Sequence, residues 1–283
     1  EDVTFLVREN RARQLADGLR IEGPSGDVTV PVKVVTPGQD VARPDIIMVA
    51  CKAYGLTGAM EAIAPHIRSE TVILPVLNGL NHVPLLASRF SEAYVWGGVA
   101  HIGATLAPDG TVRHLNELHR LTVGPRGDDG TLVLAERFAE AGGRAGYDSR
   151  LSRDIVQELW DKWVFLASLA AATTLVRASV GRIVSTDAGE RLTAGLLDEV
   201  ASIAVAVGHR PAEDRLATAR RTLTDRNSGF TASMLRDMAG GGATEADHVI
   251  GDLIRRAAAH GVATPLLDVA WVNLQAYEAG REG

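Results

Sequence analysis

The residue best suited to acid–base chemistry in this sequence is Lys162, which stands at the edge of a long apolar stretch. No charged residue occurs from Trp163 to Val176, and the helical spacing of apolar residues predicts a buried helix. Leu159 and Leu166 lie on the same side of that helix as Lys162. An ammonium group in such surroundings loses hydration, and its pKa falls toward neutrality, as acid–base catalysis near pH 7 requires. The ordinary alternative is a surface ion pair between Lys162 and Glu158, one helical turn earlier.

Four further polar residues stand where a site could form, and each has an ordinary structural explanation. Lys52 follows an apolar strand and could meet a cofactor phosphate, or could be a surface lysine. Asn78 could join cofactor and substrate through its amide, although Asn78–Gly79 is also a common turn sequence. The hydroxyl of Ser233 could bind a carboxylate, or simply be exposed on a helix. Glu245 stands at a helix start, where the helix dipole favours a carboxylate without any function.

The composition excludes several classes of protein. The chain has 283 residues, 46% of them apolar, which is enough for about two domains with buried cores. A net charge of −6 without a basic stripe argues against a nucleic-acid partner. Neither a signal peptide nor a membrane span is predicted. The single cysteine, Cys51, and eight histidines without ligand spacing predict no metal site, and a reducing cytoplasm is the expected compartment.

The first half of the chain alternates strands and helices, which predicts an α/β fold with a doubly wound, mostly parallel sheet. Asp45–Cys51 is continuously apolar, as in a strand covered on both faces. Asp109–Gly110 predicts a hairpin turn. The remaining strands are predicted at Val3–Val7, Val28–Val35, Thr71–Leu77 and Tyr94–Ala104, and the helices at Asn10–Leu19, Leu56–Ile67, Val83–Phe90 and Leu132–Ala141.

From Ser152 onward the pattern predicts helices alone. The predicted domains are therefore a dinucleotide-binding domain, residues 1–150, and a helical domain, residues 151–283. Thr244 caps a helix predicted to run from Glu245 to His260. No strand precedes Gly240–Gly242, so these glycines predict a flexible linker rather than a phosphate loop.

Sites in doubly wound sheets lie at the carboxyl ends of the strands. Here those ends carry Arg8, Lys52, Asn78 and His101–Gly103. No GxGxxG motif occurs near the start, so the first strand–helix unit of a nucleotide-binding sheet is interpreted as missing from the chain. Arg8 would then follow the second strand, where an arginine favours the 2′-phosphate of NADP over the ribose hydroxyls of NAD. Arg11 could assist it.

Taken together, these residues resemble the ketopantoate reductase (2-dehydropantoate 2-reductase) family. The matching stretches occur in the family's order across nearly the whole chain, and Glu-Leu-Trp-x-Lys and Thr-Glu-x-Asp are the most specific. They are Ile47–Tyr54, Leu77–Leu80, Ala100–Gly103, Glu158–Lys162, Ser233–Asp237, Thr244–Asp247 and Arg255–Val262.

The resemblance implies a Rossmann-like domain followed by a helical domain, NADPH as the hydride donor and a 2-oxo acid as the substrate, with a homodimer as one option. It gives Lys162 as the proton donor and Ser233 as the ligand of the substrate carboxylate. It gives Asn78 as a contact to both substrate and cofactor, and Glu245 as a contact near the nicotinamide ribose. The cofactor would also meet three residues outside that group: Arg8, Lys52 and Gly103.

Two departures from the family bear on function. Its phosphate loop is absent, which is interpreted as an incomplete amino end. Three of its asparagines are replaced by Leu166, Ala170 and Val180, which favours a less polar acceptor than ketopantoate.

Two alternative functions stay open: a non-catalytic binding relative of the family, and a dehydrogenase of the 3-hydroxyacid type. The joint retention of four residues argues against the first: Lys162, Glu245, Asn78 and Ser233. The Thr-Glu-x-Asp stretch after Ser-Met-Leu argues against the second.

Overall fold

The computed structural model describes residues 2–90, 94–127 and 130–281, and the chain divides into two compact units. The first comprises Glu1–Cys51, Gly55–Val76 and Leu85–Ile155, and the second comprises Lys52–Tyr54, Leu77–Pro84 and Val156–Gly283. The second unit therefore includes two short segments from the first half of the chain. The predicted domain boundary at residue 150 stays a prediction.

The described strands all lie in the first unit. They are β1 Thr4–Leu6, β2 Leu19–Glu22, β3 Val28–Val30, β4 Lys33–Val35, β5 Ile46–Val49, β6 Val72–Pro75, β7 Gly97–Leu106, β8 Val112–Gly124 and β9 Asp148–Leu151. β1 pairs with β4, and β5 pairs with β6, both in parallel. The third sheet has the order β3-β2-β8-β7, with β9 also paired to β8. Its β2–β8 and β8–β9 ladders are parallel, whereas β2–β3 and β7–β8 are antiparallel.

The core of the first unit forms around β6, whose four residues are all buried. Trp96 is fully buried beside it, and its indole N–H donates to Thr131 Oγ1 at 2.7 Å. The prediction that both faces of β5 are covered is wrong, because Met48 is 45% exposed. A continuous apolar run is typical of a strand covered on both faces but does not by itself show that both are covered. In the described residues, β6 is the one strand that pairs with β5.

Helices also occur in the first unit: α1 Glu9–Gln14, α2 Leu56–Ile63 and α4 Leu132–Arg144, whereas α3 His82–Arg89 begins in a segment of the second unit. The predicted helix Asn10–Leu19 is too long, because Gly18 has a φ of +103° and Leu19 begins β2. β9 was also absent from the prediction. The Asp109–Gly110 turn between β7 and β8 is confirmed by a φ of +91° at Gly110.

The second unit is helical in its described residues, which confirms a Rossmann-like fold followed by a helical domain. Its helices are α5 Ile155–Val176, α6 Val180–Val184, α7 Gly189–Ala206, α8 Glu213–Leu223, α9 Ser233–Ala239, α10 Asp252–Ala259 and α11 Pro265–Arg281. The buried hydroxyls of α5 donate to carbonyls one turn earlier, so they add no unpaired polar group. Ser168 Oγ donates to Val164 at 2.8 Å, and Thr173 Oγ1 donates to Leu169 at 2.7 Å.

Helix α5 is long and apolar enough to cross a membrane. The charge-free part of its sequence, from Trp163 to Val176, is too short to predict this. Core helices of globular proteins meet the same criterion. Here 67% of the most apolar window of α5 is buried within the protein.

Two predictions in the segment before α10 need correction. Gly240–Gly242 is an ordered turn and not a flexible linker, because Gly242 N–H donates to Asp237 O at 2.8 Å. Tyr277 O–H also donates to Gly242 O at 2.8 Å. The predicted helix Glu245–His260 is not uniform, because Asp247–Gly251 forms a π-helical turn before α10 begins. Such turns are rare and occur most often near functional sites.

Candidate active site

Lys162 lies on α5, partly buried, and forms no hydrogen bond or close ion pair with the described residues. Burial lowers its pKa to about 8, and the charge of Glu245 acts in the opposite direction. The alternative ion pair with Glu158 is wrong. Glu158 instead lies 3.7 Å from the guanidinium of Arg215 on α8. The acid–base interpretation of Lys162 is therefore the one that its surroundings support.

Glu245 supplies the negative charge near Lys162, and it is held from two sides although it is only 6% exposed. Its Oε1 accepts a hydrogen bond from the Ala53 backbone N–H at 2.9 Å, and its Oε2 lies 3.5 Å from Lys52 Nζ. The preceding residue is fixed as well, because Thr244 N–H donates to Glu278 Oε1 at 2.8 Å. A carboxylate fixed by these partners stabilises an ammonium ion nearby, and its charge acts to raise the pKa of Lys162.

Lys52 is held by two carboxylates. Its Nζ donates to Asp237 Oδ2 at 2.8 Å in addition to its contact with Glu245. Burial opposes the charged form of Lys52, but the hydrogen bond with Asp237 and the two carboxylate charges raise its pKa. The predicted contact with a cofactor phosphate stays a prediction. Asp237 was not among the predicted site residues, since nothing in the sequence indicates a partner 185 residues from Lys52.

Asn78 and Gly79 follow β6 and form a turn that packs on a histidine. Gly79 has a φ of +73°, and a Cβ atom at this position would lie 2.9 Å from His248 O and 3.0 Å from its Cδ2. His248 is itself paired with His82, with 3.3 Å between Nε2 and Nδ1. Both histidines were missed in the sequence, where neither shows ligand spacing. The turn interpretation of Asn78–Gly79 is confirmed, and the contact of the Asn78 amide with ligands stays a prediction.

Ser233 is the first residue of α9 and is exposed. Asp237, which binds Lys52, lies one turn further along the same helix. Ala170 and Val180, which replace asparagines of the family, are 2% and 0% exposed, and Leu166 is partly buried. The Val180 N–H donates to Phe230 O at 3.0 Å, and the Phe230 ring packs edge-on against Phe165 at 6.3 Å.

Two predicted cofactor contacts lie in the first unit. Arg8 is exposed at the end of β1 and precedes α1, with Nη2 3.9 Å from the place of a Cβ at Gly55. Arg11 Nη1 donates to Gly110 O at 2.7 Å, and the predicted help of Arg11 to Arg8 stays a prediction. Gly103 lies at a register shift between β7 and β8, where a Cβ would lie 2.6 Å from Asn116 Nδ2. The exposed Asn116 side chain could move aside, so this contact does not by itself require glycine, and the cofactor contact of Gly103 stays a prediction.

Within the described residues, no group of three or more histidine, cysteine, aspartate or glutamate side chains could hold a metal ion.

The second unit brings together Lys162, Glu245 and Lys52, and it also contains Asn78 and Ser233. Arg8 and Gly103 belong to the first unit. An acidic ammonium with a buried carboxylate beside it can deliver a proton and stabilise a developing oxyanion.

Comparison with known proteins places this arrangement in context. Residues 1–128 match the family model described as ketopantoate reductase PanE/ApbA, and residues 154–278 match its C-terminal model. The uncharacterized oxidoreductase YkpB of Bacillus subtilis is 36% identical over 281 residues, covering 98% of this chain and 91% of YkpB. The 2-dehydropantoate 2-reductase of Halobacterium salinarum is 29% identical, covering 92% of this chain and 84% of that protein.

Solved structures agree with these matches. The 2-dehydropantoate 2-reductase of Geobacter metallireducens is 26% identical with a TM-score of 0.87, covering 98% of this chain and 92% of that one. A D-mandelate dehydrogenase, solved with NADH and anilino(oxo)acetate, has a TM-score of 0.89 at 19% identity, covering 100% of this chain and 93% of that one. At that identity the second match is evidence for the fold alone.

Proposed function

This chain belongs to the ketopantoate reductase PanE/ApbA family, and from that premise we propose that it reduces a 2-oxo acid to the 2-hydroxy acid, with Lys162 as the proton donor. The observation that supports the proposal best is the partly buried ammonium of Lys162, which has a pKa of about 8 and a buried carboxylate near it. Among the described residues no side chain forms a hydrogen bond or close ion pair with this ammonium. A group with this pKa is largely protonated at pH 7 and still acidic enough to release its proton during the reaction.

A nicotinamide dinucleotide, when bound, supplies the hydride. The residues that would hold it on this chain are Arg8, Lys52, Asn78, Gly103 and Glu245, and NADPH is the proposed form. An exposed guanidinium after β1 fits a 2′-phosphate, because arginine binds phosphate through two parallel hydrogen bonds. The family match agrees with a nicotinamide cofactor without distinguishing NADP from NAD.

Lys162 protonates the oxygen of the keto group as negative charge develops on it. Its positive charge also stabilises that oxygen before the proton has moved, and this effect is strongest where water is excluded. The hydroxyl of Ser233 would hold the substrate carboxylate. The charge of Glu245 partly opposes the effect of burial on the pKa of Lys162.

The proposed substrate has a less polar tail than ketopantoate. Hydroxyl groups on a substrate tail need hydrogen-bonding partners, and their loss in a dry site costs about 1–3 kcal/mol each. At positions 166, 170 and 180 this chain carries apolar side chains, which give such hydroxyls no partner; Leu166 is partly exposed, whereas Ala170 and Val180 are almost completely buried.

The test is a panel of 2-oxo acids with branched aliphatic, aromatic and hydroxylated tails, assayed with NADPH and with NADH. The oxidation of the reduced nicotinamide is followed by its absorbance. We expect an apolar 2-oxo acid to show a higher kcat/KM than ketopantoate, and Leu166→Asn to narrow the difference. A clear preference of the wild type for ketopantoate would contradict the substrate proposal. Lack of turnover with every member of the panel would contradict the reductase itself.

A further inference from the structure

We infer that His248, paired with His82, is a positioning residue that holds the Asn78–Gly79 turn so that the Asn78 amide can reach the reacting groups. This inference rests on the proposed function for the role of Asn78. It assigns a role to two residues that no motif of the sequence indicates. The supporting observations are a buried histidine pair, a glycine turn packed on it and a π-helical turn that presents it.

The two histidines form a close pair in the interior of the second unit. His82 is completely buried at the start of α3, and His248 is 7% exposed. Their rings are stacked with centroids 5.5 Å apart and an angle of 23° between the planes. The separation of 3.3 Å between His82 Nδ1 and His248 Nε2 allows one nitrogen to donate and the other to accept.

His248 is also connected to the backbone of the turn. Burial lowers the pKa of His248, although the charges of Glu245, Asp252 and Asp247 and a backbone hydrogen bond with Asn78 act in the opposite direction. A neutral imidazole has one donor and one acceptor nitrogen. It can therefore serve both the His82 ring and the Asn78 backbone without carrying a buried charge.

The turn is held against His248 by packing as well. Its conformation requires glycine at position 79, where φ is +73°, and the contact distances to His248 leave no room for a Cβ atom. The segment from Asn78 to His82 is thus held at both ends, by the Asn78 backbone and by the His82 ring. A side chain carried by such a segment has few alternative positions.

The π-helical turn Asp247–Gly251 presents His248 to this segment. Its geometry is anchored to α5, because Trp163 Nε1 donates to Val249 O at 3.0 Å. Trp163 is the residue after Lys162, so one short stretch of α5 carries the proposed proton donor and fixes the turn that contains His248. The alternative is that the histidine pair only fills space in the core, and this alternative makes a different prediction.

The decisive variants are His248→Phe, which keeps the volume without polar atoms, and His248→Gln, which keeps one donor and one acceptor. If His248 positions Asn78, His248→Phe should lower kcat about tenfold or more, since small displacements of a positioned group cost up to about 10²-fold. His248→Gln should recover most of that loss. In a double-mutant cycle, His248→Phe should have little further effect on kcat in an Asn78→Ala background, because its effect passes through Asn78.

His209→Phe is the matched control, because His209 is another stacked histidine in the same unit, 5.3 Å from the ring of Trp160. It should leave kcat unchanged. Two results would overturn the inference in favour of simple core packing. One is an equal loss of kcat in His209→Phe and His248→Phe. The other is that the effects of His248→Phe and Asn78→Ala on kcat are independent of each other.

Hydrogen exchange provides a measurement that does not depend on activity. We expect the amides of residues 77–83 to exchange at least about tenfold faster in His248→Phe than in the wild type, as expected for a locally loosened segment. His209→Phe should leave them unchanged. Unchanged exchange in His248→Phe would overturn the positioning role, even in a protein that reduces none of the 2-oxo acids tested. Conversely, faster exchange in a protein without reductase activity would contradict the proposed function and not the contact of His248 with the turn.

Discussion

At the scale of single residues, the most consequential group is Lys162, and its pKa of about 8 makes its role measurable. Reduction requires the protonated form, so kcat/KM for the 2-oxo acid should be constant below pH 8 and fall about tenfold per pH unit above it. Oxidation of the 2-hydroxy acid requires the neutral amine, so its rate should rise through the same range. A pH profile in both directions tests this, and parallel profiles would contradict it.

Replacing Lys162 should separate activity from stability. Lys162→Met keeps the length and removes the charge, so kcat should fall by about 10²–10⁴-fold, the usual contribution of a general acid. Because burial disfavours the charged form of Lys162, the same variant should melt at a higher temperature than the wild type at pH 7.

The gain in stability should itself depend on pH. The folded protein releases the Lys162 proton near pH 8, whereas the unfolded chain keeps it to about pH 10.5. The unfolded state therefore binds more protons between these values, and the free energy of unfolding of the wild type rises there. The advantage of Lys162→Met should shrink over this range. Normal turnover of the variant, or a lower melting temperature at pH 7, would show that Lys162 is an ordinary structural residue.

At the scale of elements, α5 and α10 are joined by a cation between two indoles. The Arg256 guanidinium lies 5.6 Å from the ring centroid of Trp160 and 5.5 Å from that of Trp163, and its Nε donates to Asp252 at 3.0 Å. Trp160 and Trp163 are also in contact with each other, 4.8 Å between centroids. These contacts lie on both sides of Lys162 in the sequence, so they fix the part of α5 that carries it.

Arg256→Ala should therefore lower the free energy of unfolding by about 1–2 kcal/mol, through the loss of two cation–π contacts and of packing. Arg255→Ala is the matched control from the same helix, because the Arg255 side chain is half exposed and pairs with the exposed Asp247. It should cost a few tenths of a kcal/mol. Chemical denaturation of the two variants measures both values, and equal losses would contradict the importance of the indole contacts.

The elements also show what periodicity can predict. Helices with continuous apolar periodicity, such as α5, and punctuated turns, such as Asp109–Gly110, could be predicted because their signals are local. β2 was missed because Leu19 continued an apolar pattern that begins in α1, whereas Gly18 ends that pattern with a left-handed residue. The π-helical turn was missed because an extra residue in a helical turn leaves no mark on composition. The exposure of Met48 on β5 could not be predicted, because it depends on which other elements pack against that strand.

The site shows the same distinction between local and distant signals. Lys162 was predicted from its own helix and from a resemblance to known motifs, and Glu245 and Ser233 from that resemblance; their roles stay predictions. The partners Asp237, His82 and His248 could not, because their roles depend on contacts with residues far away in the sequence. Asp237 and Lys52 are separated by 185 residues and His82 and His248 by 166.

At the scale of the whole molecule, the choice of cofactor is the property most open to test. Arg8→Ala should reduce kcat/KM for NADPH by about tenfold and leave that for NADH nearly unchanged, because only the first carries a 2′-phosphate. Arg13→Ala is the control, since Arg13 lies on the adjacent helix α1 and donates to Asn10 Oδ1 at 3.2 Å. Equal effects of Arg8→Ala on both cofactors would remove the basis for NADPH preference.

Lys52 and Ala53 are far from their partners along the sequence, which has a consequence for folding during translation. Ala53 is hydrogen-bonded to Glu245, 192 residues later. At the usual speed of translation, about 5–20 residues per second, the ribosome needs on the order of 10–40 s to cover that distance. The last described strand, β9, is completed about halfway through this interval, and Lys162 follows shortly after it. A nascent chain released between Lys162 and Asp237 therefore has the described strands and the proposed proton donor, but neither carboxylate that holds Lys52.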